Sequence, residues 1–105
     1  MGMQERKVLP PDAPVPDGAV DAGTAPPASR VERLAASGDA VLVTLETDAR
    51  DPDPGLLAAA SVYAWLGAVY FRVPESQADG MGQVLDMVAS IQGTRPPTVA
   101  RRGLA

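Results

Sequence analysis

Arg72 is the residue whose type and position most clearly suggest chemistry. It stands near the end of 68–73, an apolar run rich in β-branched and aromatic residues that predicts a buried strand. An apolar helix closed by Gly67 is predicted just before it, over 55–66. Helix followed by strand is half of a parallel β–α–β unit, and such folds bind ligands beyond the carboxyl ends of their strands. The position therefore makes Arg72 a candidate phosphate ligand, although Pro74, two residues later, offers no polar group beside it.

The absence of histidine and cysteine restricts what else the chain can do. Its 105 residues include neither residue type. Disulfides, thiolate catalysis and the commonest metal ligands are thereby excluded, and so is the usual general base near neutral pH. The net charge of −4 argues against nucleic acid as a main partner. We predict no catalytic residue, no metal site and no cofactor.

Carboxylates and aromatic residues offer two further candidate sites, and both have a simpler interpretation. Four carboxylates lie at uneven spacing in the loop between the predicted strand and the next helix: Glu46, Asp48, Asp51 and Asp53. This uneven spacing predicts charged side chains exposed to water rather than a metal site. We expect Asp53 to cap the helix, which has Pro54 at its first position. A salt bridge from Arg72 to Glu46 or Glu75 is the simplest role for that arginine. Tyr63, Trp65 and Tyr70 are expected to make packing contacts rather than to bind a ligand.

The first 28 residues predict a disordered arm. They contain six prolines and no apolar periodicity, so they cannot bury enough surface to offset the entropy of ordering. A docking arm for a partner is the alternative interpretation of the same composition.

Residues 29–93 predict one small α/β domain, helix–strand–helix–strand–helix, with a two-stranded parallel sheet. Ser29 and Glu32 have the spacing of a capping box, which predicts a helix over 30–37. A strand over 39–46 follows, then the helix 55–66 and the strand 68–73. The last helix has an apolar face at a spacing of three and four residues; its members are Met81, Val84, Leu85, Val88 and Ile91. Residues 94–105 are expected to be a loose basic tail.

A two-stranded sheet is too small to stand alone. It would leave two open edges, at 41–45 and 68–71, and a helix whose apolar residues cover nearly its whole circumference. We therefore expect self-association or docking on a larger protein. The uncharged stretch 55–71 also permits a short membrane span, but its alanines and Gly67 argue against one, so we expect no membrane partner. The amino terminus shows no apolar signal segment, and we therefore expect a cytoplasmic protein.

Five runs in the second half of the chain carry a family resemblance. They are LLAAA at 56–60, AWLGA at 64–68, FRV at 71–73, VLDMVASIQGTRPP at 84–97 and RRGLA at 101–105. From Val41 onwards the chain resembles the carboxyl-terminal segment of dihydropteroate synthases, in particular the divergent dihydropteroate-synthase-like paralogues of actinobacteria. The resemblance covers about the last quarter of a full synthase.

This resemblance implies a partial (β/α)8-barrel segment of a family that makes a folate precursor from p-aminobenzoate and a pterin diphosphate. The two strands would be the seventh and eighth of the barrel. Arg72 matches the family arginine that holds the diphosphate, whereas Pro74 replaces the family histidine. The loop that starts at Glu46 also lacks the family's lysine.

The leading hypothesis is a non-catalytic, dihydropteroate-synthase-like protein, a pseudoenzyme of the pterin-binding family. It would act by self-association, or by docking on a dihydropteroate-synthase-like barrel protein and completing its open edge. The alternative is an accessory subunit that contributes Arg72 to a composite synthase site in folate biosynthesis and so binds a pterin diphosphate. A truncated relic without function is the third interpretation.

Overall fold

One parallel β-sheet organises the chain. The structure is a computed structural model, and it describes residues 5–93. A short 3-10 turn, Glu75–Gln77, precedes the last helix. The strands and longer helices, in chain order, are β1 (Lys7–Leu9), β2 (Ala19–Thr24), α1 (Ala28–Ala36), β3 (Ala40–Thr44), α2 (Pro54–Leu66), β4 (Ala68–Arg72) and α3 (Ala78–Gln92).

The sheet has four strands in the order β1-β4-β3-β2, all parallel. The predicted two-stranded sheet is therefore wrong. Both additional strands come from 1–28, the segment for which the composition predicts no folded structure. Because β1 is three residues long and β2 reads Ala-Val-Asp-Ala-Gly-Thr, neither shows a strand pattern of its own. The two predicted strands, β3 and β4, are central rather than edge strands.

The cap predicted at the start of α2 is present in the structure, and the cap predicted at the start of α1 is not. Asp53 caps α2 as predicted, with Oδ1 accepting hydrogen bonds from the N–H groups of Gly55 and Leu56. In contrast, α1 starts at Ala28 after Pro27, and no side chain caps it, so the predicted capping box of Ser29 and Glu32 is wrong. The prolines before this helix set the direction in which the chain enters it, and it begins ahead of Ser29.

Gly67 ends α2 in a backbone conformation that other residues rarely adopt, with φ at 118°. A Cβ atom at this position would lie 2.6 Å from the Cβ atom of Ala35 in α1. The glycine therefore allows both the left-handed turn into β4 and the close approach of α1.

The three helices pack on one face of the sheet, and the core lies between them. Alternate residues of β3 and β4, including Val41, Val43 and Phe71, point into it. From α3, Met81, Leu85 and Val88 are buried as predicted, whereas Ile91 is 65% exposed. Among the described residues, no helix is long and apolar enough to cross a membrane.

The opposite face of the sheet, here called the helix-free face, carries the alternate side chains. Leu42 and Thr44 of β3 lie on it beside their register partners Tyr70 and Arg72 of β4. Leu42 is fully buried although it is outside the helix-side core. Because β1 and β2 are opposite edges, the connection 10–18 must cross the sheet, and we infer that it covers Leu42. The predicted basic tail, 94–105, lies outside the described residues.

Candidate functional site

Arg72 is the last residue of β4, at the carboxyl edge of the sheet, and it is already paired. Its Nη2 donates to Oδ2 of Asp21 over 3.1 Å. The side chain of Arg72 is 17% exposed and that of Asp21 is 40% exposed. The predicted partners were Glu46 or Glu75, so this prediction is wrong, because the partner comes from the segment expected to be disordered.

The register of the sheet explains how Arg72 reaches Asp21. Asp21 is aligned with Leu42 on the central strand β3, and Arg72 is aligned with Thr44 on the same strand. All four side chains lie on the helix-free face, so the guanidinium spans β3 diagonally. The Nε atom of Arg72 remains buried without a hydrogen-bond partner among the described residues.

A cleft of about 480 Å³ lies at the open edge of β1, near the same end of the sheet. Leu9, the register partner of Arg72 on β1, contributes to its wall. Among residues 5–93 its lining includes Asp12 and Glu75 and no lysine or arginine. A phosphate that approached here would meet two negative charges and an arginine already neutralised by Asp21, so this end of the sheet is poorly suited to anions.

The loop carboxylates do not gather into a metal site. Glu46, Asp48 and Asp51 are exposed, and no group of three or more potential metal ligands occurs within residues 5–93. Asp53 instead accepts a hydrogen bond from the Thr47 hydroxyl over 2.7 Å, in addition to its two capping bonds. The Thr47 bond and the backbone N–H groups of Leu56 and Gly55 hold the pKa of Asp53 below its ordinary value.

Gln77 holds the same loop in place, and no pattern in the sequence pointed to it. It is fully buried; its Oε1 accepts from the N–H of Asp53 over 2.8 Å, and its Nε2 donates to the carbonyl of Asp51 over 2.9 Å. The oxygen of Ala49 also accepts a hydrogen bond from the Ser76 hydroxyl. The loop after β3 is therefore fastened to the turn after β4. A buried, fully bonded amide signals structure here rather than catalysis.

Within the part of the chain that the structure describes, large exposed apolar side chains gather between α2 and α3. Val62 and Trp65 of α2 are each 53% exposed, and Ile91 of α3 is 65% exposed. Together with Ser61 and Val88 they line a groove of about 290 Å³. Met87, one turn before Ile91, is 55% exposed. We call Val62, Trp65, Val88, Ile91 and Met87 the α2–α3 face.

The three aromatic residues differ in how far they are buried. Tyr63 is buried and donates its hydroxyl to the carbonyl of Pro26 over 2.6 Å, and burial raises the pKa of this tyrosine. Tyr70 is half-buried on the helix-free face. Trp65, in contrast, is half exposed, because α3 covers only part of the apolar circumference of α2.

Arg6 ties the amino-terminal segment to the ends of both α2 and α3. Its Nη2 donates to the carbonyl of Ala64 and to Oε1 of Gln92, and Gln92 in turn donates to the carbonyl of Trp65. Burial lowers the pKa of Arg6. A guanidinium at the carboxyl end of a helix is favourable, because it satisfies carbonyls and complements the helix dipole.

Comparison with known proteins identifies relatives for part of the chain. A protein named inactive dihydropteroate synthase 2 from Mycobacterium tuberculosis is 51% identical over 67 residues, as is the protein of that name from Mycobacterium bovis. The protein of that name from Mycobacterium leprae is 57% identical over 51 residues. No protein-family model and no solved structure matches the chain.

The similarity covers only part of this chain and a small part of each relative. The match takes in 64% of this chain and 20% of the Mycobacterium tuberculosis protein, or 49% and 17% for Mycobacterium leprae. The chain thus spans about a fifth of the length of the relatives it matches. The predicted resemblance is confirmed at that level: the chain is similar to a segment of a dihydropteroate-synthase-like protein.

Proposed function

We propose that the chain is a non-catalytic, dihydropteroate-synthase-like protein that acts by associating with copies of itself. The relatives it resembles are named inactive. The residue set agrees with this, since the chain has no histidine or cysteine and its strand-end arginine is paired with Asp21. The observation that carries the proposal is the α2–α3 face, where four large apolar side chains are at least half exposed on two adjacent helices.

A second copy is the occupant that best suits this face. Its five residues carry no charge, so they offer nothing that would select an acidic or basic partner. The face combines a groove with Trp65 on its wall, and a two-fold axis would place the same residues of two copies against each other. Aromatic side chains that are buried at the centre of an interface often dominate its stability.

A charge at the centre of the α2–α3 face should dissociate the copies. We expect Ile91→Asp to lower the mass of the particle, because a carboxylate cannot be buried in an apolar contact without a partner. Size exclusion coupled to light scattering measures this mass. Ala36→Asp is the matched control, because Ala36 is also exposed and also lies in the last turn of a helix. If both variants keep the wild-type mass, the α2–α3 face is not the contact.

The accessory-subunit hypothesis has one observation in its favour: the Nε atom of Arg72 has no hydrogen-bond partner within residues 5–93. It expects the chain to bind pyrophosphate, with binding lost in Arg72→Ala and kept in Arg33→Ala, a change of an exposed arginine on α1. Our proposal expects no pyrophosphate binding by the wild-type chain, because Asp21 neutralises Arg72. Calorimetric titration with pyrophosphate separates the two, and binding that depends on Arg72 would overturn our assignment.

A further inference from the structure

We propose that two copies of the chain exchange strand β1 and close their sheets into one eight-stranded parallel barrel. This rests on the proposed function in so far as copies associate, but it concerns a different surface, the two open edges of the sheet. Four parallel strands with all three helices on one face have the arrangement of half a (β/α)8 barrel. Two such halves, joined at both edges, would leave no edge open.

The amino-terminal segment is attached to the domain as a separable unit. Strand β1 pairs with β4 over Lys7–Leu9, and the N–H of Val73 donates to the carbonyl of Leu9. Arg6 adds its hydrogen bonds at the ends of α2 and α3. All these partners lie on the last part of the chain, so the same contacts form whether segment 6–9 comes from the same copy or from the other.

The connection 10–18 has the features of a hinge. Four of its residues are prolines, and its two described backbone hydrogen bonds are local, from Ala13 to Pro10 and from Ala19 to Pro16. It covers Leu42 but leaves Tyr70 only half-buried, whereas both faces of a parallel sheet are normally buried against apolar structure. Val15 is its only large apolar residue, and Val15 is 39% exposed.

The geometry permits both arrangements, and the exchanged one is the shorter path. In a single chain the connection must cross three strand spacings and about four residues of strand rise, about 20 Å in all. In the exchanged pair β1 lies beside β2 of its own chain, so the connection crosses one strand spacing instead of three. The connection can extend to about 33 Å, so its length excludes neither.

In the exchanged pair the eight strands follow the order of the chain. Each β1 lies between β2 of its own copy and β4 of the other, and strands β2, β3 and β4 stay adjacent as they are. The helix-free faces of both copies then line the interior. Leu9, Leu42 and Tyr70 of each copy replace the connection as its filling, in the way that layers of side chains fill such barrels. The Arg72–Asp21 pair is unchanged, since both residues belong to the same copy.

Engineered cysteines can distinguish the two arrangements, because the natural chain has none. Lys7 and Tyr70 are register partners on β1 and β4, so Lys7→Cys with Tyr70→Cys places two thiols within disulfide distance. On oxidation we expect a covalent two-chain species on a non-reducing gel. The control is Ala19→Cys with Ala40→Cys, partners on β2 and β3, which should link within one chain in either arrangement.

A disulfide within a single chain for the Lys7→Cys, Tyr70→Cys pair would overturn the proposal. The mass of Ile91→Asp gives an independent reading if the cysteine pair fails to fold. With both contacts present the wild-type particle contains more than two chains, because a barrel of two copies carries two α2–α3 faces, and Ile91→Asp should leave two chains; a single chain would overturn strand exchange while supporting the α2–α3 face. An Ile91→Asp mass equal to wild type would remove the α2–α3 face and leave strand exchange to the disulfide result.

Discussion

At the scale of single residues, the paired state of Arg72 decides how the carboxyl edge of the sheet is interpreted. A free arginine at a strand end would suggest an anion site. Arg72 instead forms a salt bridge with Asp21, whose negative charge offsets the positive charge of the guanidinium. The sequence predicted the position of Arg72 correctly but not its partner. Asp21 lies in β2, a strand of small residues that acquires its conformation only by pairing with β3, so no local pattern could reveal it.

Tyr63 is the residue whose hydrogen bond should matter most for stability. Its hydroxyl and the carbonyl of Pro26 are both buried, so Tyr63→Phe would leave that carbonyl without a partner. We expect a loss of about 1–3 kcal/mol in the free energy of unfolding. Urea denaturation followed by circular dichroism measures it. Tyr70→Phe is the control, because Tyr70 is only half-buried; equal losses in the two variants would contradict the role given to the Tyr63 bond.

At the scale of elements, the sequence predicted the half of the fold that is locally determined. Helix α2 has its aspartate cap and closing glycine, and β3 and β4 are continuous apolar runs, so each carries its own signal. Strands β1 and β2 depend on tertiary pairing and were missed. Gln77 was missed for a related reason: its side chain forms hydrogen bonds with the backbone of a loop more than twenty residues away, which no local pattern reveals.

The charge of the Asp53 cap should make the stability of α2 depend on pH. Because the pKa of Asp53 is lowered in the folded chain, its contribution is complete above the ordinary value of 3.8 and is lost as the pH falls through the lower folded value. Asp53→Asn keeps a capping oxygen but removes the charge. We expect wild type to have the higher melting temperature at neutral pH and the difference to shrink in acid.

Thermal unfolding of both proteins across this range tests the prediction, with Asp48→Asn as the control, since Asp48 is exposed. If the difference in melting temperature between wild type and Asp53→Asn stayed constant down to the lowest pH measured, the charge of Asp53 would not contribute to the stability of α2.

At the scale of the whole molecule, the structure changes the reason for expecting association but not the expectation. From the sequence we expected association because a two-stranded sheet would leave both of its strands with an open edge. In the structure these two strands, β3 and β4, are central. The four-stranded sheet moves the open edges to β1 and β2 and gives the core a full layer of helices. Among the described residues, the α2–α3 face remains exposed. The apolar residues that surround α2 on nearly all sides indicated such a surface. The sequence could not show which side of α2 the helix α3 would leave uncovered.

The mass of the wild-type chain in solution tests the central claim most directly. Light scattering coupled to size exclusion, repeated over a hundredfold dilution, measures it against the chain mass of 10.8 kDa. Self-association predicts a particle of at least two chains that dissociates only at the lowest concentrations. A folded particle of one chain at every concentration would contradict the account, because the α2–α3 face and both sheet edges would then remain open to water.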